Sequence, residues 1–119
     1  MTTKRVMAGA LAALILFFGG ALSAEGPQGQ IEELLMLDND SVRVGLLTFP
    51  PGSASGRHLN FGPEMAIMLE GELVVITTNG REVLKPGMVH WLPVLTPHDA
   101  RNESDRPARL WAMLLKQCD

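Results

Sequence analysis

After residue 30 the chain never sustains an apolar run longer than eight residues. Ile31 to Leu37 ends in Asp38-Asn39-Asp40-Ser41, Val42 to Phe49 in Pro50-Pro51-Gly52, and Glu64 to Glu70 at Gly71. Glu72 to Thr78 ends in Asn79-Gly80, Val83-Leu84 in Pro86-Gly87, and Met88 to Leu92 at Pro93; a last run, Ala108 to Leu115, follows Pro107. None of these stretches keeps a 3.6-residue period long enough for a helix. Short runs punctuated by turn residues at close spacing predict an all-β sandwich or barrel. In VVITTNGREV, Asn79-Gly80 between β-branched runs predicts a hairpin with a type I′ turn, because both residues tolerate positive φ. ARLWAMLLK is apolar at both parities, which suits a strand covered on two sides or a buried helix, and periodicity does not separate them.

The first 24 residues differ from the rest. Lys4 and Arg5 precede an apolar segment, Met7 to Phe18, and Ala21-Leu22-Ser23-Ala24 supplies small residues for cleavage. This is the pattern of a secretory signal peptide. It predicts a periplasmic or secreted protein with no stable membrane insertion once the signal is cut. The alternative is an uncleaved N-terminal anchor, since Val6 to Leu22 carries no charge and lies at the lower length limit for a spanning helix. Residues 25–30 (EGPQGQ) read as a linker and 31–119 as one domain. Removing 24 of the 119 residues leaves 95, enough for a single core without disulfides. Cys118 is the sole cysteine and has no partner within the chain.

The formal charge of the whole chain is −3, and loss of Lys4 and Arg5 takes it to about −5. A nucleic acid is a poor partner for such a chain, because affinity there rests on neutralising phosphates. Arg101, Arg106 and Arg109 are interleaved with Asp99, Glu103 and Asp105 and form no basic patch.

His58, Asn60 and Glu64 stand at even spacing. On a strand, side chains at i and i+2 share a face, so His58 and Asn60 project together, and the Gly62-Pro63 bend can return Glu64 toward them. His98, after Thr96-Pro97, is the candidate to close the cluster from another strand. His90 shares a face with Met88 and Leu92; it reads as a core or rim residue, with a role as general base the alternative. Either Met65, Ile67 and Leu69 or Ala66 and Met68 must line the interior, and Phe49, Phe61 and Trp91 read as packing residues first. Glu70 and Glu72, flanking Gly71, read as solvated.

These residues fall into two spaced motifs. Gly52 is followed by five residues, His58-Leu59-Asn60, three residues, Glu64, six residues and Gly71. Gly87 is followed by five residues, Pro93-Val94-Leu95, two residues, His98, three residues and Asn102. The pattern resembles the cupins, small conserved β-barrels, at eight of ten marked positions. The resemblance implies a single cupin-type, jelly-roll-like barrel, a small-molecule substrate or ligand, and a homodimer paired through edge strands. It also implies a divalent transition metal (Fe, Mn, Ni or Zn) on His58, Glu64 and His98.

Two positions depart. Leu95 replaces a turn glycine, which predicts a slightly altered loop before His98. Asn60 replaces a histidine that ligates metal in metal-binding cupins. Its neutral amide oxygen is a weaker donor than imidazole, and it could instead contact a substrate or a ligand's outer atoms. Two histidines and one carboxylate with open positions are the donor set of non-haem Fe(II) oxygenases, so dioxygenase-type oxidation is the leading expectation. A non-catalytic binding or sensing barrel and a metal-dependent isomerase or lyase are the alternatives.

Overall fold

The computed structural model describes residues 4–6 and 30–116. The apolar core of the candidate export signal, residues 25–29 of the expected linker and Cys118 lie outside the described residues. Nine strands are present among the described residues: β1 (Lys4–Val6), β2 (Glu32–Asp38), β3 (Val42–Phe49), β4 (Glu64–Glu70), β5 (Leu73–Thr77), β6 (Gly80–Leu84), β7 (Val89–Leu92), β8 (Asp99–Arg101) and β9 (Ala108–Leu115). They form a six-stranded sheet in the order β1-β2-β3-β9-β4-β7 and a three-stranded sheet in the order β6-β5-β8, every pairing antiparallel. The expected all-β barrel is what the chain forms. Lys4–Val6, the start of the candidate export signal, pairs along β2.

The ambiguous C-terminal segment is a strand, because β9 is held centrally between β3 and β4. Its register puts Leu110 opposite Leu47 and Met68, and Ala112 opposite Gly45 and Ala66. Residues directly opposite on a pleated sheet share a face, so Leu110, Met68, Ala66, Leu47 and Phe49 point inward. They meet Leu73, Val75 and Leu84 of the second sheet and Ala108 in one core cluster. Burying a side chain such as Met68 or Leu84 contributes roughly 1.5–3 kcal/mol. The interior is thus lined by Ala66 and Met68 of β4, while Met65, Ile67 and Leu69 face outward. Of the three aromatic residues read as packing groups only Phe49 is core; Phe61 and Trp91 are exposed.

A broken strand runs beside β8. Gly52 N–H donates to Asn102 O, Asn102 N–H to Ser53 O, and Ser55 N–H to Ala100 O. His58 and His98 exchange both backbone hydrogen bonds, at 2.9 and 2.8 Å. The buried Asn102 amide holds the far end, donating to the carbonyls of Phe49 and Arg106 while its oxygen accepts from Ser104. A Cβ at Gly71, which has φ of 74°, would collide with the Pro107 carbonyl. Only glycine lets β4 turn so close to the start of β9.

Two local expectations are corrected. The β5–β6 hairpin forms, but Thr77 pairs with Gly80, so its turn centres on Thr78-Asn79. Positive φ falls on Gly80 and not on Asn79, so the turn is not type I′. Thr77 explains the shift, because its Oγ1 accepts the Asn79 N–H at 3.0 Å and draws the turn back one residue. Nor does Leu95 alter the loop before His98 in the way expected of a residue that avoids the backbone of a turn glycine. It adopts φ of 61°, the one non-glycine residue with positive φ among those described, and its N–H donates to Asn60 O at 2.9 Å. That conformation costs a side-chain-bearing residue roughly 1–2 kcal/mol. Leu95→Gly should therefore leave the unfolding free energy unchanged or raise it by about 1 kcal/mol, the relief of strain being offset by chain entropy. A urea titration measures it, and a loss above about 1 kcal/mol would mean that the exposed Leu95 side chain packs productively.

Candidate functional site

The mouth of the barrel gathers the groups singled out in sequence. His58 and His98 are cross-strand neighbours with ring centroids 4.2 Å apart. Each ring is fixed by its own backbone: His58 Nδ1 lies 2.8 Å from Gly56 O, and His98 Nδ1 lies 2.9 Å from Thr96 O. A carbonyl only accepts, so both Nδ1 atoms carry hydrogen and both Nε2 atoms hold the lone pair when the rings are neutral. His98 is buried, whereas His58 sits at the exposed rim.

Glu64 enters from β4. Its Oε1 accepts from Asn60 Nδ2 at 2.8 Å and stands 3.9 Å from His98 Nε2. Its Oε2 accepts no hydrogen bond among the described residues. Burial is the main influence on both titrating partners. It raises the Glu64 carboxyl above the ordinary range, against the opposing pull of His58 and the Asn60 hydrogen bond. It lowers the His98 imidazole, with the Thr96 carbonyl acting in the other direction. Each group is pushed toward its neutral form.

The donor chemistry suits a divalent metal: two imidazoles with pinned tautomers and an under-satisfied buried carboxylate, as in sites whose ligands are oriented by outer partners. The positions are less complete. Among the described residues no three His, Cys, Asp or Glu side chains are gathered closely enough to hold an ion. The Asn60 amide occupies Glu64 Oε1 at the place where the resemblance expects a fourth ligand. Asn60 is thus brought into the cluster as a partner of the carboxylate.

The structure adds two inward-facing carboxylates that the sequence reading passed over. Glu33 faces inward opposite Leu47 and bonds Arg43 at 2.9 Å. It overlies Gly45, where a Cβ would stand 2.6 Å from Glu33 Oε2, and it adds to the upward shift of Glu64. Glu82, inward opposite Val75, pairs with His90 at 3.1 Å. The parity of Glu33 with Leu35, and of Glu82 with Leu84, is the signal that marks both as inward. His90 is inward too, opposite Ala66, and lies outside the His58–Glu64–His98 cluster. The clustered arginines end in surface ion pairs, Arg101 with Asp99 and Arg109 with Glu70.

No curated protein matches the sequence. A cupin domain from Bordetella pertussis Tohama I superposes with a TM-score of 0.66 at 23% identity, over 78% of this chain and 100% of that one. A sugar phosphate isomerase of the cupin superfamily from Silicibacter pomeroyi DSS-3 gives 0.64 at 22% identity, over 73% of this chain and 60% of that one. A polyketide cyclase from Streptomyces resistomycificus gives 0.67 at 15% identity, over 73% and 66%. At these identities the likeness is one of fold. The family model for the cupin domain matches residues 45–114, well over half of the 119 and inclusive of His58, Glu64 and His98. With barrel, motifs and family model in agreement, the chain belongs to the cupin family.

Proposed function

We propose that this cupin binds a small organic molecule at the mouth of its barrel and handles it with a divalent metal held by His58, Glu64 and His98. The observation that carries the reading is the pair of imidazoles, each tied through Nδ1 to a backbone carbonyl and set beside a buried carboxylate. When bound, such a metal supplies Lewis acidity and an adjacent position for dioxygen or water, so oxidation is the leading class. The chain's own residues do the rest. The Gly56 and Thr96 carbonyls hold the rings in the ligating tautomer, Asn60 releases or retains Glu64, and the wall of Ala66 and Met68 excludes water. A second reading, a barrel that binds its ligand without catalysis, is favoured by the Asn60–Glu64 hydrogen bond, which satisfies one carboxylate oxygen with no metal at all. Isomerisation, the activity named for the Silicibacter neighbour, is a third class open to the same residues.

We also propose export, supported by Lys4, Arg5 and the apolar run to Phe18. A homodimer is proposed through a face of the sheet in preference to its edges. Leu34, Leu46, Trp111, Ile67 and Val89 stand opposite one another across five strands on the outer face. Val44, Met113, Met65 and Trp91 form a second row. A contiguous apolar face of this extent on a soluble domain marks an interaction surface, and a self-complementary one suits a two-fold pair.

Protein purified without an affinity tag and incubated with Fe(II), Mn(II), Ni(II) or Zn(II) should take up about one ion per chain, read by elemental analysis. His98→Ala should lose it, and Asn60→His should tighten it about tenfold or more. Uptake near zero for all four metals would leave the second reading.

Glu64 gives a sign-specific test on metal-free protein. Its folded value is raised, so its contribution is complete below the ordinary carboxylate range and is lost as pH rises through the folded value. Glu64→Gln, which can still accept from Asn60, should melt ~2–5 °C higher than the parent at pH 7 and lose that advantage near pH 4. A lower melting temperature at both pH values would show that the ionised carboxylate has a partner.

In sedimentation the parent should run as a dimer at about 100 μM and Trp111→Glu as a monomer, since one charge in the centre of an apolar interface costs several kcal/mol. A variant still dimeric would point to edge pairing.

A further inference from the structure

The two segments that carry the paired histidines are out of step by one residue. Ala54 is bridged to Arg101 and His58 to His98, so the chain advances four residues on one side and three on the other. Gly56 and Arg57 therefore stand opposite the single residue Asp99, which is the two-against-one count of a β-bulge. Gly56 has φ of 83°, the left-handed conformation that a glycine takes as the first residue of such a bulge. In an unbroken ladder Arg57 would face His98, and His58 would fall on the other side of the strand. The extra residue is what sets the two imidazoles side by side.

A bulge leaves backbone groups without ladder partners, and neighbouring side chains have to meet them. Asp99 does so here. It is buried; its Oδ1 accepts the Gly56 N–H at 3.0 Å and its Oδ2 the Arg101 Nε–H at 2.8 Å. Ser55 Oγ accepts the Ala100 N–H at 3.0 Å and stands 3.1 Å from Gly56 O and 3.5 Å from Asp99 Oδ1. The Arg57 N–H, by contrast, has no partner among the described residues. Gly56 is thus gripped at its amide, and its carbonyl accepts from His58 Nδ1 at 2.8 Å. His98 needs no such help, being buried and bonded to Thr96 O outside the bulge. His58 is exposed. An unrestrained neutral imidazole in water prefers its hydrogen on Nε2, which would block the nitrogen that a ligand needs.

We propose that Asp99, backed by Arg101, is a positioning residue for the site: it holds the bulge at Gly56, so that the Gly56 carbonyl keeps the hydrogen of His58 on Nδ1 and leaves Nε2 free to bind. Asp99 matters to function only if His58 is a ligand, so this inference rests on the metal reading; the ring itself is read without metal. The full chain is ¹⁵N-labelled and held in EDTA at pH ~8.5, above the ordinary imidazole range, and the ring nitrogens are observed directly. In the parent, His58 and His98 should both carry hydrogen on Nδ1. In Asp99→Ala, His58 should pass to a mixture with hydrogen mainly on Nε2, while His98 keeps its own on Nδ1. Asp99→Asn, whose amide oxygen can still accept the Gly56 N–H, should restore the parent pattern. Arg101→Ala, a change at a half-exposed side chain that leaves the fold intact, should move His58 the same way and less far. In the parent itself the Gly56 amide should exchange with solvent about tenfold more slowly than the Arg57 amide. Any of four results overturns this role: His58 nitrogens unmoved in both Asp99→Ala and Arg101→Ala, equal movement of His98, no rescue in Asp99→Asn, or equal exchange at Gly56 and Arg57. Zinc uptake is measured separately. Asp99→Ala should weaken it about tenfold, whereas a parent that takes up no zinc removes the metal reading and leaves the His58 result standing.

Discussion

The pairing of β9 between β3 and β4 sets three transverse rows on the inner face of the larger sheet, and the site depends on their order. Leu47, Leu110 and Met68 make the lowest row and close the barrel with core. Gly45, Ala112 and Ala66 make the next, a floor of small residues that leaves room above it. Arg43, Leu114 and Glu64 make the third, at the mouth. A slip of one residue in β9 would turn Trp111 into the floor and Ala112 to the outside, because side chains alternate faces with period two. Position and polarity of the cluster are thus consequences of register before they are consequences of the histidines.

The mouth is also electrostatically self-limiting. Burial favours the neutral form of Glu64 and of His98, so without a cation the cluster carries less charge than its composition implies. Asn60 fits that state. A histidine there would present a third imidazole, whereas the amide supplies a neutral donor to the one carboxylate that burial leaves under-satisfied. Glu33, neutralised by Arg43, keeps a second carboxylate over Gly45 without leaving it unpaired. Asparagine in place of histidine thus lets the carboxylate be buried without a cation; under the metal-bound reading, an amide and an ion would compete for Glu64 Oε1.

Legibility in the sequence followed the strength of the local signals. Val42–Phe49 and Glu64–Glu70 are bounded by Pro50-Pro51 and by Gly71, and the strands stop there to the residue. The Asn79-Gly80 hairpin was legible as a hairpin, but its turn was not, because a threonine hydroxyl two residues upstream of Asn79 decided where the chain reverses. Spaced motifs located His58, Glu64 and His98. They could not convey that Asn60 grips Glu64, since strand periodicity gives a face and not a partner, and residues 52–60 are an irregular strand. A leucine in place of a turn glycine predicts an altered loop because its side chain favours negative φ; the bond from its N–H to the Asn60 carbonyl accompanies the opposite conformation. Glu82 and His90 were separable only by the fold, being eight residues apart on strands that end different sheets.

The same two-sided apolar pattern that left ARLWAMLLK ambiguous gives this sheet an apolar outer face. Its inner parity is met by the core, while Trp111 and Met113 on the other parity stand in the apolar outer rows. A second copy laid on that face would leave both barrel mouths free, since the polar cluster projects from the opposite side of the strands. It would also touch β7, an edge strand that carries Trp91 outward into the apolar rows and His90 inward to Glu82. An edge strand held by a single ladder is the most deformable part of a sheet. A partner seated on Trp91 would therefore also restrain the strand that carries His90.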